Sequence, residues 1–429
     1  MFVYASFILV VMVVAFVAAR WFKLTIELSM FAAALAGAIV HTRSLPLRHI
    51  VEGAFTYYDV CLIFITATFF INLLKEAGGI IFMVRSIVST FHRRRSICLI
   101  LLTCILLVPG ALTGAGAATV LTVGSLVGTV LMCMGVSQTR TLAIIFLCAA
   151  MSAAAPPVNL WAMMAAAGSN MPYVGFMLPL LVLTLIGALL SMFMLAGKGA
   201  PIDLEKVLQE LPEPPQEMSW GRVSIPFVVF FGLVLAGRLW PFHVPILGLP
   251  FMFLLASIAV FFISPKKLPI LDIAGNTVRS LIPLVGIMIV VGILIQIMAL
   301  SGARGLISLA VVTLPLGLLY VTLFLILPIS EGLLQYAVAP LLGVPLILLF
   351  NMKGLNPIIA LSAMAVMWPL GDCLPPTAVV GRAAVIELKY TGHYYKDFVK
   401  TCAIPAACIL LICTLFLIFS NKLSFLIGG

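Results

Sequence analysis

The pair Pro156-Pro157 recurs as Pro375-Pro376, 219 residues further on (375 − 156). The same step carries Pro109 onto Pro328, Gly124 onto Gly343, Gly135 onto Gly354 and Ala165 onto Ala384. Landmarks that hold one register from 109 to 165 imply two half-chains of one design. Proline removes a backbone donor and glycine loosens the chain, so the repeated pattern is one of interrupted helices. Composition says where those interruptions lie. With 63% hydrophobic and 9% charged residues over 429 positions, and apolar runs continuing to the C-terminus, the chain cannot be a soluble globule. It reads as an all-α polytopic membrane protein, in which broken helices frame a binding site. Met1–Ala19 is then a retained first span rather than a signal peptide.

Runs of spanning length fall near Phe2–Val17, Leu24–Val40, Val60–Leu74, Tyr173–Leu195, Val223–Leu239, Pro245–Ser264, Leu281–Leu300 and Thr401–Ser420. Between them, Ser96–Pro109 and Leu316–Pro328 are apolar segments of about 14 residues, too short to span comfortably. Each leads to a break, PGALTGAG from Pro109 or PISEG from Pro328, and a second apolar segment returns to a polar turn. The expected geometry is a re-entrant hairpin over 96–136 and another over 315–355, with tips at Pro109 and Pro328. Each hairpin is followed by a helix broken at its double proline, over 140–168 and 357–388. Such backbone is tolerated only where protein or a cavity surrounds it. Short amphipathic arms, Gly79–Arg95 and Gly302–Val312, precede the hairpins.

Charge placement orients the halves, because Lys and Arg near span ends favour the cytoplasm. With His92-Arg93-Arg94-Arg95 inside, counting outward also puts Arg20, Lys23, Lys198, Lys266-Lys267, Lys389, Lys396 and Lys400 inside. The positions 219 on from Arg93–Arg95 are uncharged Val312-Thr313-Leu314, as an inverted second copy requires. The reading is an inverted repeat of five spans in each half, 1–196 and 222–429, with both termini outside a bacterial inner membrane. The segment 197–221 joins them; Asp203, Glu205, Glu210, Glu213 and Glu217 with three prolines make it a solvated cytoplasmic linker.

Acids inside apolar runs are costly and become functional candidates. Glu331 lies at the second hairpin tip and Asp372 at the second break, in GDCLPPT; Glu27 sits at a span end beside Lys23, where a structural role suffices. An interrupted helix exposes carbonyls that suit a cation and amides that suit a carboxylate. A coupling ion, Na⁺ or H⁺, is therefore expected around Gly110, Thr113, Gly114, Ser152, Ser330, Glu331, Gly371 and Asp372. A small organic acid is expected around Ala115, Pro156, Pro157, Asn159, Pro375, Pro376, Thr377 and Arg382. Arg382 can equally pair with Glu387 or reach the surface, and the glycines can equally serve helix packing. The nine cysteines form no CxxC or His-spaced transition-metal set, and no nucleophile–base set points to an enzyme. The net charge of +10 is scattered over span ends rather than gathered on one face, which excludes nucleic acid as a partner.

The stretches TGAGAATVLTVG from Thr113, AAMSAAAPPVN through Pro156-Pro157, SEGLLQYAVAP from Ser330, KGLNP from Lys353 and PLGDCLPPTAV from Pro369 resemble the signatures of the large membrane subunit of tripartite ATP-independent periplasmic (TRAP) transporters. Similarity extends over most of the chain, with departures. Ala115, Thr119 and Val158 stand where that family usually has serine, an acid and serine, so fewer side chains are available to ligate sodium. The resemblance implies an elevator mechanism, Na⁺-driven symport of an organic acid such as a dicarboxylate, a small membrane subunit and a periplasmic substrate-binding protein.

Overall fold

The computed structural model describes residues 2–197, 204–240, 243, 245 and 247–427, and these form helices with no strand. The first half contains α1 (Phe2–Trp21), α2 (Ile26–Thr42), α3 (Leu47–Ala54), α4 (Tyr58–Glu76), α5 (Gly79–Phe91), α6 (Arg95–Thr113), α7 (Gly116–Thr119), α8 (Ser125–Cys133), α9 (Gln138–Ala154), α10 (Leu160–Gly168) and α11 (Met177–Ala196). The linker contributes α12 (Leu204–Glu210). The second half contains α13 (Trp220–Leu239), α14 (Leu249–Ile263), α15 (Ile270–Leu300), α16 (Ala303–Val312), α17 (Leu316–Leu334), α18 (Val344–Met352), α19 (Pro357–Met367), α20 (Val379–Glu387) and α21 (Lys400–Ile418). Among the described residues, nine helical stretches are long and apolar enough to cross a membrane, against about ten expected.

Burial sorts these helices into centre and rim. Every residue from Thr141 to Ala154 of α9 is buried, as is every residue from Ile359 to Met367 of α19, so both are apolar all round and sit inside the bundle. In contrast α1 leaves Val10, Val13, Val14 and Val17 exposed, an outer face that suits lipid. The thin crossing of α3 over α15 depends on glycine: a Cβ on Gly53 would lie 2.6 Å from the Ile293 Cα.

The 219-residue step persists in the backbone. Five-residue π segments occupy Val120–Gly124 and Ala339–Gly343, α8 and α18 end at 133 and 352, α9 and α19 begin at 138 and 357, and α10 and α20 span 160–168 and 379–387. Gly135 and Gly354 both terminate helices with positive φ, +80° and +71°. At each, the next amide reaches back five residues, Val136 to Leu131 at 3.0 Å and Leu355 to Phe350 at 2.9 Å, a closure that needs the left-handed residue glycine supplies. Both Pro-Pro peptide bonds are cis.

The hairpin tips are not at the prolines. Helix α6 continues through Pro109 to Thr113 and turns at Gly114 (φ +72°); α17 continues through Pro328 to Leu334 and turns at Gln335 (φ +53°). Each is thus 19 residues long rather than about 14. Proline costs a helix one hydrogen bond, and a neighbour can re-satisfy the backbone beside it. Here the Gly110 amide, next to Pro109, donates to the Thr119 hydroxyl at 2.9 Å.

The linker is docked rather than freely solvated. Val207 and Leu211 are buried, and Arg85 of α5 donates to the carbonyls of Leu208, Leu211 and Pro212 at 3.1, 2.7 and 3.2 Å. Lys198 and Asp203 lie outside the described residues. Because one guanidinium holds a carbonyl of α12 and the two that follow its end, Arg85→Ala should release this segment. Limited proteolysis is expected to cut between 204 and 221 several-fold faster, with the overall melting temperature little changed.

Candidate functional site

A cavity of about 600 Å³ lies where both hairpin tips and the second break face α4 and α15. Ala115 and Ala118 come from the first tip, Gln335 and Tyr336 from the second, and Asp372 and Val380 from the break. The opposite wall is Thr68, Asn72 and Lys75 of α4 with Asn276 and Ser280 of α15. Glu27, in the first turn of α2, completes the lining. Glu27 entered the sequence reading as an acid with a structural role; the other residues of this wall were absent from the sequence-derived set. Their signal was polar side chains at helical spacing, 68, 72 and 75 or 276 and 280, inside otherwise apolar helices.

The break is built so that Asp372 is nearly enclosed yet free. A 3₁₀ turn over Trp368–Cys373 replaces the α-helix before the prolines, and Asp372 retains 4% exposure. No hydrogen bond or ion pair among the described residues reaches its carboxylate, which faces the cavity. Gly371 permits this placement, since a Cβ there would collide with the Pro328 carbonyl oxygen and lie 2.6 Å from its carbon. Ser330 stays on α17, its hydroxyl given to the Leu327 carbonyl at 2.8 Å.

Glu331 is fully buried one turn before the second tip, so it does not line the cavity. Its Oε2 accepts from Trp161 Nε1 at 2.8 Å, whereas Oε1 has no partner. Trp161 lies in the first turn of α10, just after the first break, and its ring lies 4.8 Å from that of Tyr336. The first break and the second hairpin therefore meet at one buried contact. Trp161→Phe removes the one donor to this carboxylate among the described residues and should destabilise the protein by about 1–3 kcal/mol. Thermal unfolding in detergent checks this, and Glu331→Gln should erase part of the difference if the bond is its cause.

The other sequence-derived residues fall into two groups. Gly110, Thr113 and Ser152 belong to a closed network: Ser152 donates to Leu107 O and shares a 2.7 Å bond with Thr119, while Thr113 donates to Pro109 O. A Cβ on Gly110 would overlap the Ser152 hydroxyl, so that glycine serves close packing. Asn159 spends both ends of its amide on the break, accepting from the Ala162 amide at 2.8 Å and donating to Ala154 O at 2.7 Å. Arg382 is exposed, donates to the Pro376 carbonyl at 3.3 Å, and joins no ion pair among the described residues. Ala115 and Asp372 reach the cavity; Gly110, Thr113, Ser152, Asn159, Glu331 and Arg382 do not line it.

Main-chain bonds tie each break to its hairpin. The residue after the first double proline, Val158, donates its amide to Ala111 O at 3.0 Å, and the matching Thr377 donates both amide (3.2 Å) and hydroxyl (2.8 Å) to Gly332 O. Pro156, Pro157, Pro375 and Pro376 thus set the approach of extended backbone to a helix end. Gly114 and Ala115 form the first turn itself.

No family model matches the chain, and no curated protein sequence does. Among solved structures, it is similar to MtrF of Neisseria gonorrhoeae, described within a class of antimetabolite efflux pumps, at 14% identity and TM-score 0.59 over 87% of this chain and 84% of that one. It is also similar to the YdaH transporter of Alcanivorax borkumensis, described as having an unusual topology, at 13% identity and TM-score 0.61 over 89% and 90%. At such identity the likeness concerns the fold: this chain has the all-helical fold of polytopic membrane transporters.

Proposed function

We propose that the protein is a secondary active carrier that takes an organic acid across a bacterial inner membrane, driven by Na⁺, with H⁺ as the alternative coupling ion. The observation that carries this reading is the Asp372 carboxylate, nearly buried and without a bonded partner among the described residues, at the wall of a cavity between two interrupted segments. A carboxyl held in such a place is compensated either by a bound cation or by its own proton, and both are coupling ions. The two halves act as inverted repeats, with the hairpins re-entrant and both termini outside. The hairpins and broken helices move as an elevator body against α4 and α15, whose polar side chains line the other side of the cavity. Glu331, bridged to Trp161, stands behind Asp372 as a second acid on the packed α17.

In the TRAP-type form of this reading, the chain is the large permease and works with a small membrane subunit and a periplasmic binding protein. A second reading, a stand-alone carrier or cation/proton antiporter, is favoured by the fold likeness over most of the chain to two transporters, one in a class of efflux pumps. Reconstitution of the chain alone in proteoliposomes separates the two. Counterflow of an organic acid without any added protein supports the stand-alone carrier; counterflow that appears only with a binding protein supports the tripartite form. Non-saturable flux would remove the carrier reading altogether.

A further inference from the structure

The walls of the central cavity also constrain what can enter, granted the reading of that cavity as the substrate site. Among the described residues, two carboxylates, Asp372 and Glu27, line it with a single cation, Lys75, and no arginine or histidine does so. The Lys75 ammonium already donates to Leu121 O at 2.8 Å, which holds it at the edge of the first hairpin with donors to spare. Asp372 is 4% exposed and unbonded, so it demands a positive group. A solute with two carboxylates would meet like charge at Asp372 and Glu27 and opposite charge only at Lys75, a mismatch that low-dielectric walls amplify. A solute bearing one ammonium and one carboxylate meets a complementary group at each end. When a coupling cation occupies Asp372, Glu27 and Lys75 remain as a matched pair, so the balance holds in the ion-loaded state as well.

The rest of the lining agrees. Phe64, Ile71, Leu281, Leu284 and Ile287 form an apolar floor, while Asn72 keeps its carbonyl oxygen free after giving its amide to Thr277 at 2.8 Å. We propose that the cavity takes a zwitterion, an amino-bearing carboxylic acid with an apolar body, its ammonium toward Glu27 and Asp372 and its carboxylate toward Lys75.

The test uses the full chain in proteoliposomes under an imposed Na⁺ gradient and, separately, a pH gradient. L-phenylalanine and L-leucine are compared with their des-amino counterparts 3-phenylpropionate and 4-methylpentanoate, with phenethylamine, and with succinate. The expected result is saturable uptake of an amino acid at least about tenfold above its des-amino counterpart and amine, because a site with paired polar groups rejects the analogue that leaves one unpaired. Glu27→Gln should raise the amino-acid KM by about tenfold while leaving the weak inhibition by the des-amino acid unchanged. Accumulation of 3-phenylpropionate or succinate, with no uptake of or competition by the amino acids, overturns the zwitterion assignment and leaves the carrier reading standing. Non-saturable flux of every solute under both gradients, by protein that unfolds cooperatively, overturns both. An amino-acid KM unchanged by Glu27→Gln overturns the assigned polarity of the walls.

Discussion

Asp372→Asn is expected to abolish ion-coupled accumulation while leaving the protein as stable as before, or more so. The carboxylate accepts no hydrogen bond among the described residues, so its replacement by a neutral isostere breaks nothing and relieves an uncompensated charge in an apolar interior. Function should move the other way. If the group holds the coupling cation, its loss must cost at least the about 10- to 100-fold that removal of a mere outer partner costs a metal site. Gradient-driven uptake and the melting temperature of the same preparation are the two readouts. Unchanged uptake, or a loss of uptake that merely tracks unfolding, would sink the assignment. Asp372→Glu restores the charge one methylene deeper into the cavity and should recover part of the activity.

Gly371→Ala should be the most damaging single-methyl change in the chain. The added carbon would meet backbone, the Pro328 carbonyl and its Cα at 3.0 Å, and backbone cannot rotate aside as a side chain can. The displaced element would be the second break, with Asp372 beside it. A cost at or beyond the upper end of the overpacking range, about 3 kcal/mol, is expected, and yield of folded protein should fall with it. Gly232 and Gly317 have open space where a Cβ would go, so alanine at either should be neutral or slightly stabilising. Comparable melting temperatures for Gly371→Ala and these controls would show that the contact relaxes freely.

The 219-residue spacing was legible because its landmarks are residues with special backbone chemistry. Proline pairs, and glycines at positive φ such as Gly135 and Gly354, cannot hide in an apolar sequence, and the helix bounds of 120–168 recur at 339–387. The hairpin tips were misplaced for the same reason turned round: Pro109 and Pro328 look like breaks, yet the helices run past them to Thr113 and Leu334, and at the first a neighbouring hydroxyl takes up the amide beside the proline. Asp372 and Ala115 were legible as cavity residues because they sit beside breakers. The α4 and α15 wall was not, since Asn72 and Asn276 lie in uninterrupted helices and only tertiary packing turns those faces toward the cavity. Asn159 and Ser152 carried the right chemistry in the right segment, but the break itself uses up their hydrogen bonds.

The amides of Val158 and Thr377 latch each break to its hairpin through main chain alone at the first site and mostly so at the second. A latch made of peptide groups is indifferent to side-chain identity. The hydrogen bond itself survives substitution at 111 or 158, provided proline never arrives at the donor position; position 332 is held to glycine for a separate reason, since a Cβ there would lie 2.9 Å from the Leu374 Cβ. The stiffness of the interrupted core is therefore inherited through peptide geometry, which leaves the few side chains that face the cavity free to vary without undoing the join.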